Sequence, residues 1–130
     1  MKTSSEIQEA LARDLTEAFF KLLRQYPEKK ADDVLKMVCL QKAPRFYVSY
    51  ETARRHLSNL KKGTPISEKN ENKKLLYIEL YERWKTINGG NNYEKNSYLC
   101  LYDILNSQAP RFYIDFTTAR RIIYKHLRKK

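Results

Sequence analysis

One segment of thirteen residues occurs twice in the chain, and it constrains the fold more than any other feature. Residues 43–55 read APRFYVSYETARR, and residues 109–121, 66 positions later, read APRFYIDFTTARR. Nine of the thirteen positions are identical, and three of the other four keep their physical type. Low-complexity bias does not produce such a match, so the sequence predicts an internal duplication.

The two copies predict two related units within a chain of 130 residues, which is short enough for both to pack as one compact body. Gly63 can terminate a helix, and Pro65 prevents its continuation. We therefore place the first unit at residues 1–63 and the second at residues 64–130. Extra residues in the second unit fall in a loop at 88–92.

Apolar residues at helical spacing predict three helices in each unit, and hence an all-α fold that is similar in outline to a helix-turn-helix. The first helices should cover about residues 6–25 and 71–87. The third helices should begin after Ser49 and Asp115, whose side chains are suited to cap a helix. Between the second and third helices, the RFYV and RFYI connectors should be extended, as a loop or a very short strand.

The second helices should begin after the polar pairs at 32–33 and 96–97. They must end before Pro44 and Pro110, because the residue that precedes a proline is driven out of the α region. Residues 98–102 are apolar almost all round, which predicts that the middle helix of the second unit is buried.

The net charge of +11 is confined to the two repeated segments and the helix that follows each. Residues 42–62 hold six basic side chains and one acidic one, and residues 108–130 hold seven and one. Elsewhere the two signs balance. A generic solvated surface would spread its charge, so two basic helix faces predict binding to the phosphates of nucleic acid.

In a helix-turn-helix, the first turns of the third helix reach base edges in the major groove, where Arg reads guanine and Thr contacts bases. Cations near the helix ends would contact phosphates. The predicted nucleic-acid-binding residues are Arg45, Thr52, Arg54, Arg55, Lys61, Lys62, Arg111, Thr118, Arg120, Arg121, Lys125, Arg128, Lys129 and Lys130. Units related by a pseudo-twofold axis would read half-sites about 10 base pairs apart, whereas tandem units would read a direct repeat.

The aromatic residues of the connectors have two interpretations. Tyr47 and Tyr113 beside arginines can stack on unpaired bases, which would suit RNA or single-stranded DNA. Phe46 and Phe112 more simply fill the junction between the second and third helices.

The arginines also have structural alternatives. Arg45 and Arg111 could pair with acids of the balanced region, such as Asp32 or Glu79. The Thr-Ala-Arg-Arg element could be an ordinary solvated helix face, since arginine is a good helix former.

The phrase APRFYxxxxTARR resembles a segment that recurs in small, largely uncharacterised proteins of bacterial mobile elements and phages. The resemblance covers the thirteen residues in each copy and implies no defined activity. The units depart from the common helix-turn-helix in the turn at 44–48, which is longer than usual and has no glycine.

No catalytic, cofactor or metal constellation is suggested by the spacing of residues. His56 and His126 do not occupy equivalent positions, and the three glycines form no phosphate-binding loop. Cys39 and Cys100 lie in apolar stretches and are expected to be reduced core thiols. With no apolar run long enough for a membrane span and no leader-like start, we expect a cytoplasmic protein without a membrane partner.

These patterns predict a non-enzymatic nucleic-acid-binding protein that acts as a regulator or accessory factor of a mobile element or phage. Duplex DNA is favoured over RNA as its ligand, and no cofactor is expected. The alternative is a protein-interaction or assembly factor that docks on an acidic partner through the basic and aromatic repeat surface. It would then be an accessory subunit of a nucleic-acid enzyme or a virion component. Steep salt dependence favours the first function, and shallow dependence favours the second.

Overall fold

The computed structural model describes residues 4–64, 68–88 and 94–128, and for 87–88 and 94–99 it describes the backbone alone. These described residues form six α-helices and no β-strand, which confirms the predicted all-α class. In chain order the helices are α1 (Ser4–Gln25), α2 (Ala31–Cys39), α3 (Tyr50–Lys61), α4 (Glu71–Asn88), α5 (Glu94–Leu105) and α6 (Phe116–Arg128).

The two long helices, α1 and α4, form where the apolar periodicity predicts them. Leu11 and Leu15 of α1 are buried on one stripe. The helix ends two residues before Pro27, whose ring cannot continue an α-helix. At the start of α4, the side-chain oxygen of Asn70 accepts a hydrogen bond from the Lys73 amide at 3.2 Å, which caps the first turn.

The two middle helices begin earlier than predicted. α2 begins at Ala31, so Asp32 and Asp33 lie in its first turn rather than before it. Carboxylates are stabilised there by the positive end of the helix dipole, which explains why acids at this point did not mark the cap itself. Lys30 holds the N-cap position and forms no side-chain cap hydrogen bond. α5 likewise begins at Glu94 rather than after residue 97.

The middle helices end before their prolines as predicted, α2 at Cys39 and α5 at Leu105. The prediction that α5 is buried holds for only one side of the helix. Leu101 and Ile104 face the core, but Tyr102 is 42% exposed. α5 packs against α4 and α3, and these neighbours leave one side of the helix open to solvent.

The predicted caps of the third helices are confirmed. The Ser49 hydroxyl accepts a hydrogen bond from the Thr52 amide at 3.2 Å, and the Asp115 carboxylate accepts one from the Thr118 amide at 2.7 Å. The bonds from Thr118 lower the pKa of the Asp115 carboxyl. Gly63 follows α3 with a φ of 81°, the left-handed conformation that ends many helices. Pro65 lies outside the described residues.

Helices α1–α3 form the first half of the protein and α4–α6 the second. The third helix of each half packs against the first two helices of the other half. α6 contacts α1 and α2, whereas α3 contacts α4 and α5. Within each half, the first helix also packs against the second. Buried residues from all six helices join in one hydrophobic cluster, so the two halves share a core.

The two connectors cross at Ala43 and Ala109, which are equivalent positions of the repeat. Their backbones exchange two hydrogen bonds, of 3.0 Å and 2.8 Å, in an isolated antiparallel bridge. Both alanines are buried. The connectors are otherwise loops. Of the two forms that the sequence allows, a loop or a very short strand, the structure therefore contains the loop.

Aromatic rings pack reciprocally beside this bridge. Phe46 stacks on Tyr113 with ring centres 6.3 Å apart, and Phe112 stacks on Tyr47 at 5.8 Å. Both phenylalanines are buried, Phe46 completely so. Each therefore fills its helix junction and also joins its own half to the other one.

Replacing Phe46 with alanine should lower the free energy of unfolding by about 3–5 kcal/mol, since it leaves a large cavity where the halves meet. Urea denaturation followed by circular dichroism measures the change. Phe20→Ala is the matched control, because that ring is 38% exposed and its loss should cost much less. Equal effects of the two substitutions would contradict the burial of Phe46 where the two halves meet.

Candidate nucleic-acid interface

The cations predicted on α3 lie on its solvent face. Tyr50, Ala53 and Leu57 take up the opposite side of the helix and are buried. Arg54 pairs with Glu51 at 3.1 Å, but both side chains are more than half exposed, so the pair contributes little and can be exchanged for another anion. The exposed cations of α3 and its C-cap are Arg54, Arg55, Lys61 and Lys62.

The cations predicted on α6 are exposed in the same way. The Arg120 Nε lies 4.0 Å from the carboxylate of Asp32, and its guanidinium lies 5.4 Å from the ring centre of Tyr124. The other three described cations of this face are Arg121, Lys125 and Arg128. They have no ion-pair partner among the described residues. The exposed cations of α6 are Arg120, Arg121, Lys125 and Arg128, while Lys129 and Lys130 lie outside the described residues.

Thr52 and Thr118 are half-buried beside the helix caps. The Ser49 hydroxyl donates to the Thr52 hydroxyl at 2.9 Å, and the Thr118 side chain bonds to the Asp115 carboxylate. Both threonines thus order the start of their helix. The arginines of the following turn extend further into solvent than these hydroxyls do.

The connector arginines are held against the protein. The Arg45 Nε donates to the Phe46 carbonyl at 3.0 Å, and burial lowers the pKa of the Arg45 guanidinium. The Arg111 Nη2 donates to the side-chain oxygen of Asn72 at 2.7 Å. Within the described part of the chain, the buried Nε of Arg111 has no hydrogen-bond partner. Both arginines are therefore half-buried and less available to a ligand than those of α3 and α6.

Arg83 of α4 is a structural residue that the sequence did not single out. It pairs with Glu79 at 2.9 Å and donates to the carbonyl of Gln108 at 2.6 Å, where the second connector begins. Its guanidinium also lies 5.0 Å from the ring centre of Phe46. Arg83 comes from the region of balanced charge, and nothing in the local sequence separates it from other surface cations.

The connector tyrosines are also engaged inside the protein. The Tyr47 hydroxyl donates to Asp14 at 2.5 Å, and burial together with this bond raises the pKa of Tyr47. Tyr113 has a φ of 55°, a left-handed conformation that is rare outside glycine, and burial raises its pKa as well. Each ring packs in an offset, nearly parallel arrangement against a phenylalanine of the other half.

A cleft of about 740 Å³ is lined by the first two turns of α1 and α4, the first turn of α3 and the first three turns of α6, beside the crossing connectors. The N-terminal ends of four helices, which carry the positive ends of the helix dipoles, therefore lie beside one opening. Residues predicted as nucleic-acid contacts from both halves meet here. Those that line the cleft are Thr52, Thr118, Arg121 and Lys125.

The cleft also contains polar residues that the sequence did not indicate. Lys73 and Asn72 of α4, with Asn70 just before it, face Gln8 of α1 across this space. They lie outside the basic segments, so neither charge nor repetition marked them. Their position follows only from the packing of α1 and α4 around the crossing point.

A second, shallow groove of about 660 Å³ runs along the outer side of α6. Half-buried Phe116, Tyr124 and Leu127 line it together with Arg120 and Arg128. The equivalent positions of α3 are more polar, since Ser58 and Lys61 stand where α6 has Tyr124 and Leu127. Only the second half therefore carries this mixture of apolar and arginine side chains.

The cysteines show no arrangement for metal binding or a disulfide. Cys39 and Cys100 are not joined in a disulfide, and burial raises the pKa of the Cys39 thiol, which favours its protonated form. In the described ranges, no group of three or more His, Cys, Asp or Glu residues is placed to hold a metal ion. The same ranges contain no helix with the length and apolar character needed to cross a membrane.

Comparison of the chain with protein-family models, with curated proteins and with solved structures finds no match.

His56 is a half-buried residue of α3, and it stacks on Tyr77 where α3 meets α4. The ring centres are 3.7 Å apart and the planes differ by 13°. Burial, and then the neighbouring Arg55, lower the pKa of His56 below its ordinary value of 6.5. The folded protein therefore prefers the neutral imidazole.

Because the folded pKa of His56 is depressed, the unfolded chain binds the proton more tightly. The free energy of unfolding should be highest above pH 6.5 and should fall as the pH drops through that value toward the folded pKa. His56→Phe keeps the ring stack and should flatten this dependence. Urea denaturation at several pH values between about 5.5 and 7.5 measures it. An unchanged slope in the variant would assign the pH dependence to other groups.

Proposed function

We propose that this protein is a non-enzymatic nucleic-acid-binding protein whose two halves arose by duplication of a three-helix unit. It binds duplex DNA through the basic faces of α3 and α6, in the cytoplasm. The resemblance of its repeated segment to proteins of mobile elements and phages supports a role as a regulator or accessory factor of such an element.

The observation that carries the proposal is the exposure of duplicated cations. All of the net positive charge lies in two segments, and the cations of α3 and α6 within them are exposed. Few of these cations are paired with acids in the described part of the chain. Such cations release condensed counterions when they contact phosphates, which is the main source of affinity for nucleic acid.

The packing of the connectors favours a duplex over an unpaired strand. Stacking of bases requires a free aromatic face near a basic groove. Tyr47 and Tyr113 each pack against a phenylalanine of the other half and a neighbouring arginine, and the Tyr47 hydroxyl is bonded to Asp14. The exposed groups are instead helical arginines, which suit base edges and phosphates of a duplex.

The positions along each helix suggest a division of roles. Arg54 and Arg120 lie in the second turn, where a recognition helix meets base edges. Lys62 and Arg128 lie at the C-terminal ends and are equivalent in the repeat, which suits contacts to phosphates.

A second candidate function rests on the groove along α6. Its half-buried aromatic and leucine side chains beside exposed arginines are the residue types that dominate protein interfaces. An acidic protein partner would complement the charge of this face. The protein would then be an assembly factor or an accessory subunit, as the sequence alternative proposes.

Binding to duplex DNA should depend steeply on salt. Neutralisation of about four to seven phosphates gives a slope of log K against log salt of roughly −4 to −6. Raising the salt from about 50 to about 200 mM should therefore weaken binding by roughly 250- to 4000-fold. Fluorescence-anisotropy titrations of duplex DNA, single-stranded DNA and structured RNA with the purified protein measure this.

Tighter binding to single strands would overturn the preference for a duplex. Weak binding to all three ligands even at the lower salt would remove nucleic acid as the primary partner. The α6 groove would then be the remaining basis for a function.

Removing Arg54 and Arg120 together should reduce discrimination between duplex sequences more than overall affinity. Each bidentate contact of arginine with guanine contributes about 1–3 kcal/mol of discrimination. Lys62→Ala with Arg128→Ala is the matched control, which removes the same charge and should weaken binding to all sequences alike. Titration of a preferred and an unrelated duplex compares the two pairs, and equal losses on both duplexes in the arginine pair would refute base reading.

A further inference from the structure

Several contacts between the two halves are reciprocal, although the hydrogen bond of 3.0 Å from the Phe46 amide to the Leu105 carbonyl has no counterpart at the Phe112 amide among the described residues. Phe46 and Phe112 are equivalent in the repeat, as are Tyr47 and Tyr113. The Phe46–Tyr113 stack therefore has an equivalent in the Phe112–Tyr47 stack, and the structure contains both. Likewise, the packing of α6 on α1 and α2 is equivalent to the packing of α3 on α4 and α5. The bridge joins Ala43 to Ala109, which are equivalent to each other.

Reciprocity of this kind distinguishes two ways of arranging a repeat. In a twofold arrangement, residue i contacts j of the other copy and j contacts i, whereas in a head-to-tail arrangement the two contacting surfaces differ. An antiparallel backbone pair between equivalent residues also places a local twofold axis through the pair. The halves are thus related by a pseudo-twofold axis that passes between Ala43 and Ala109.

The basic helices are disposed around the same axis. Thr52 and Thr118 are equivalent positions in the first turns of α3 and α6, and both line the cleft beside the crossing connectors. Arg54 and Arg55 follow in α3, as do Arg120 and Arg121 in α6. The two helices therefore begin at one opening and carry the same Thr-Ala-Arg-Arg residues at equivalent positions.

We infer that the ligand of this surface is a duplex DNA site built as an inverted repeat, with its dyad over the cleft. The inference rests on the proposed function and specifies the symmetry of its target. B-form DNA has twofold axes perpendicular to its helix axis, and a protein with a matching axis places equivalent side chains on equivalent bases of the two strands. A direct repeat would offer one of the two helices its bases in the wrong orientation.

The two half-sites are related but not identical. The reading residues are the same in both helices, but Lys125 of α6 stands where α3 has Asn59, and Leu127 stands where α3 has Lys61. The first turns also differ at one position, since Glu51 of α3, which pairs with Arg54, stands where α6 has Thr117. The two half-sites of the inverted repeat should therefore be similar in sequence without being identical.

Selection from a pool of duplexes with about 30 randomised base pairs, which span two half-sites, tests the inference with the intact protein. The enriched sequences should share two inverted half-sites. Synthetic duplexes that carry the same half-sites at the same spacing, one inverted and one direct, are then compared by anisotropy. The direct version should bind roughly 10- to 100-fold more weakly.

Variants in each half supply a second readout. Selection with Arg54→Ala/Arg55→Ala should retain one half-site and relax the other, and Arg120→Ala/Arg121→Ala should do the same. The control Lys21→Ala/Arg24→Ala also removes two exposed cations, but from α1, and should select the complete inverted repeat. Circular dichroism verifies that all three variants are folded.

The outcomes separate the inference from the function beneath it. Three outcomes would overturn the inverted repeat and leave DNA binding intact. They are enrichment of a direct repeat, enrichment of a single half-site, and equal affinity for the two synthetic arrangements. A pool that shows no enrichment, with no salt-dependent binding of any duplex, would overturn the proposed function and the inference together.

Discussion

The backbone pair between Ala43 and Ala109 sets the arrangement of the whole molecule. Two hydrogen bonds join the connectors antiparallel at equivalent positions, and the small alanine side chains let the two backbones approach to that distance. From this crossing point each connector continues toward the opposite half. The third helix that follows the connector therefore packs on the first two helices of that opposite half. Phe46 and Phe112 close the junction on both sides and make the crossing a hydrophobic centre.

Such an exchange of helices couples the halves energetically. Neither α3 nor α6 draws its main packing from its own first two helices, so the buried face of each depends on residues far away in the chain. Side chains that hold the connectors therefore support both halves at once. Arg83 is an example, because it joins α4 to the start of the second connector and to the ring of Phe46. The basic faces of α3 and α6 are held in one relative orientation as a result.

Much of the local structure could be predicted from the sequence, because its causes are local. Ser49 and Asp115 cap their helices through hydrogen bonds that span three residues, and Gly63 ends α3 through its own backbone conformation. The sequence places the start of α2 too late, since acids stabilise a first turn as well as a cap. It also places the start of α5 too late, because the polar pair at 96–97 lies inside the helix. The cations of α3 and α6 could also be assigned to the solvent face, because the apolar stripe of an amphipathic helix defines its other side. The arginines and tyrosines of the connectors could not be assigned in this way.

The sequence by itself determined that the protein is helical, where most of its helices begin and end, and that its positive charge is duplicated. These properties follow from propensity, capping, periodicity and composition, which act within a few residues. Only the tertiary structure decided that the third helices exchange between halves, that Tyr47 and Arg45 are held inside, and that four helix starts surround one cleft. The reason is physical: a helical apolar stripe specifies that a face will be buried and does not specify against which partner. That choice depends on contacts between residues about half the chain apart, which no local pattern encodes.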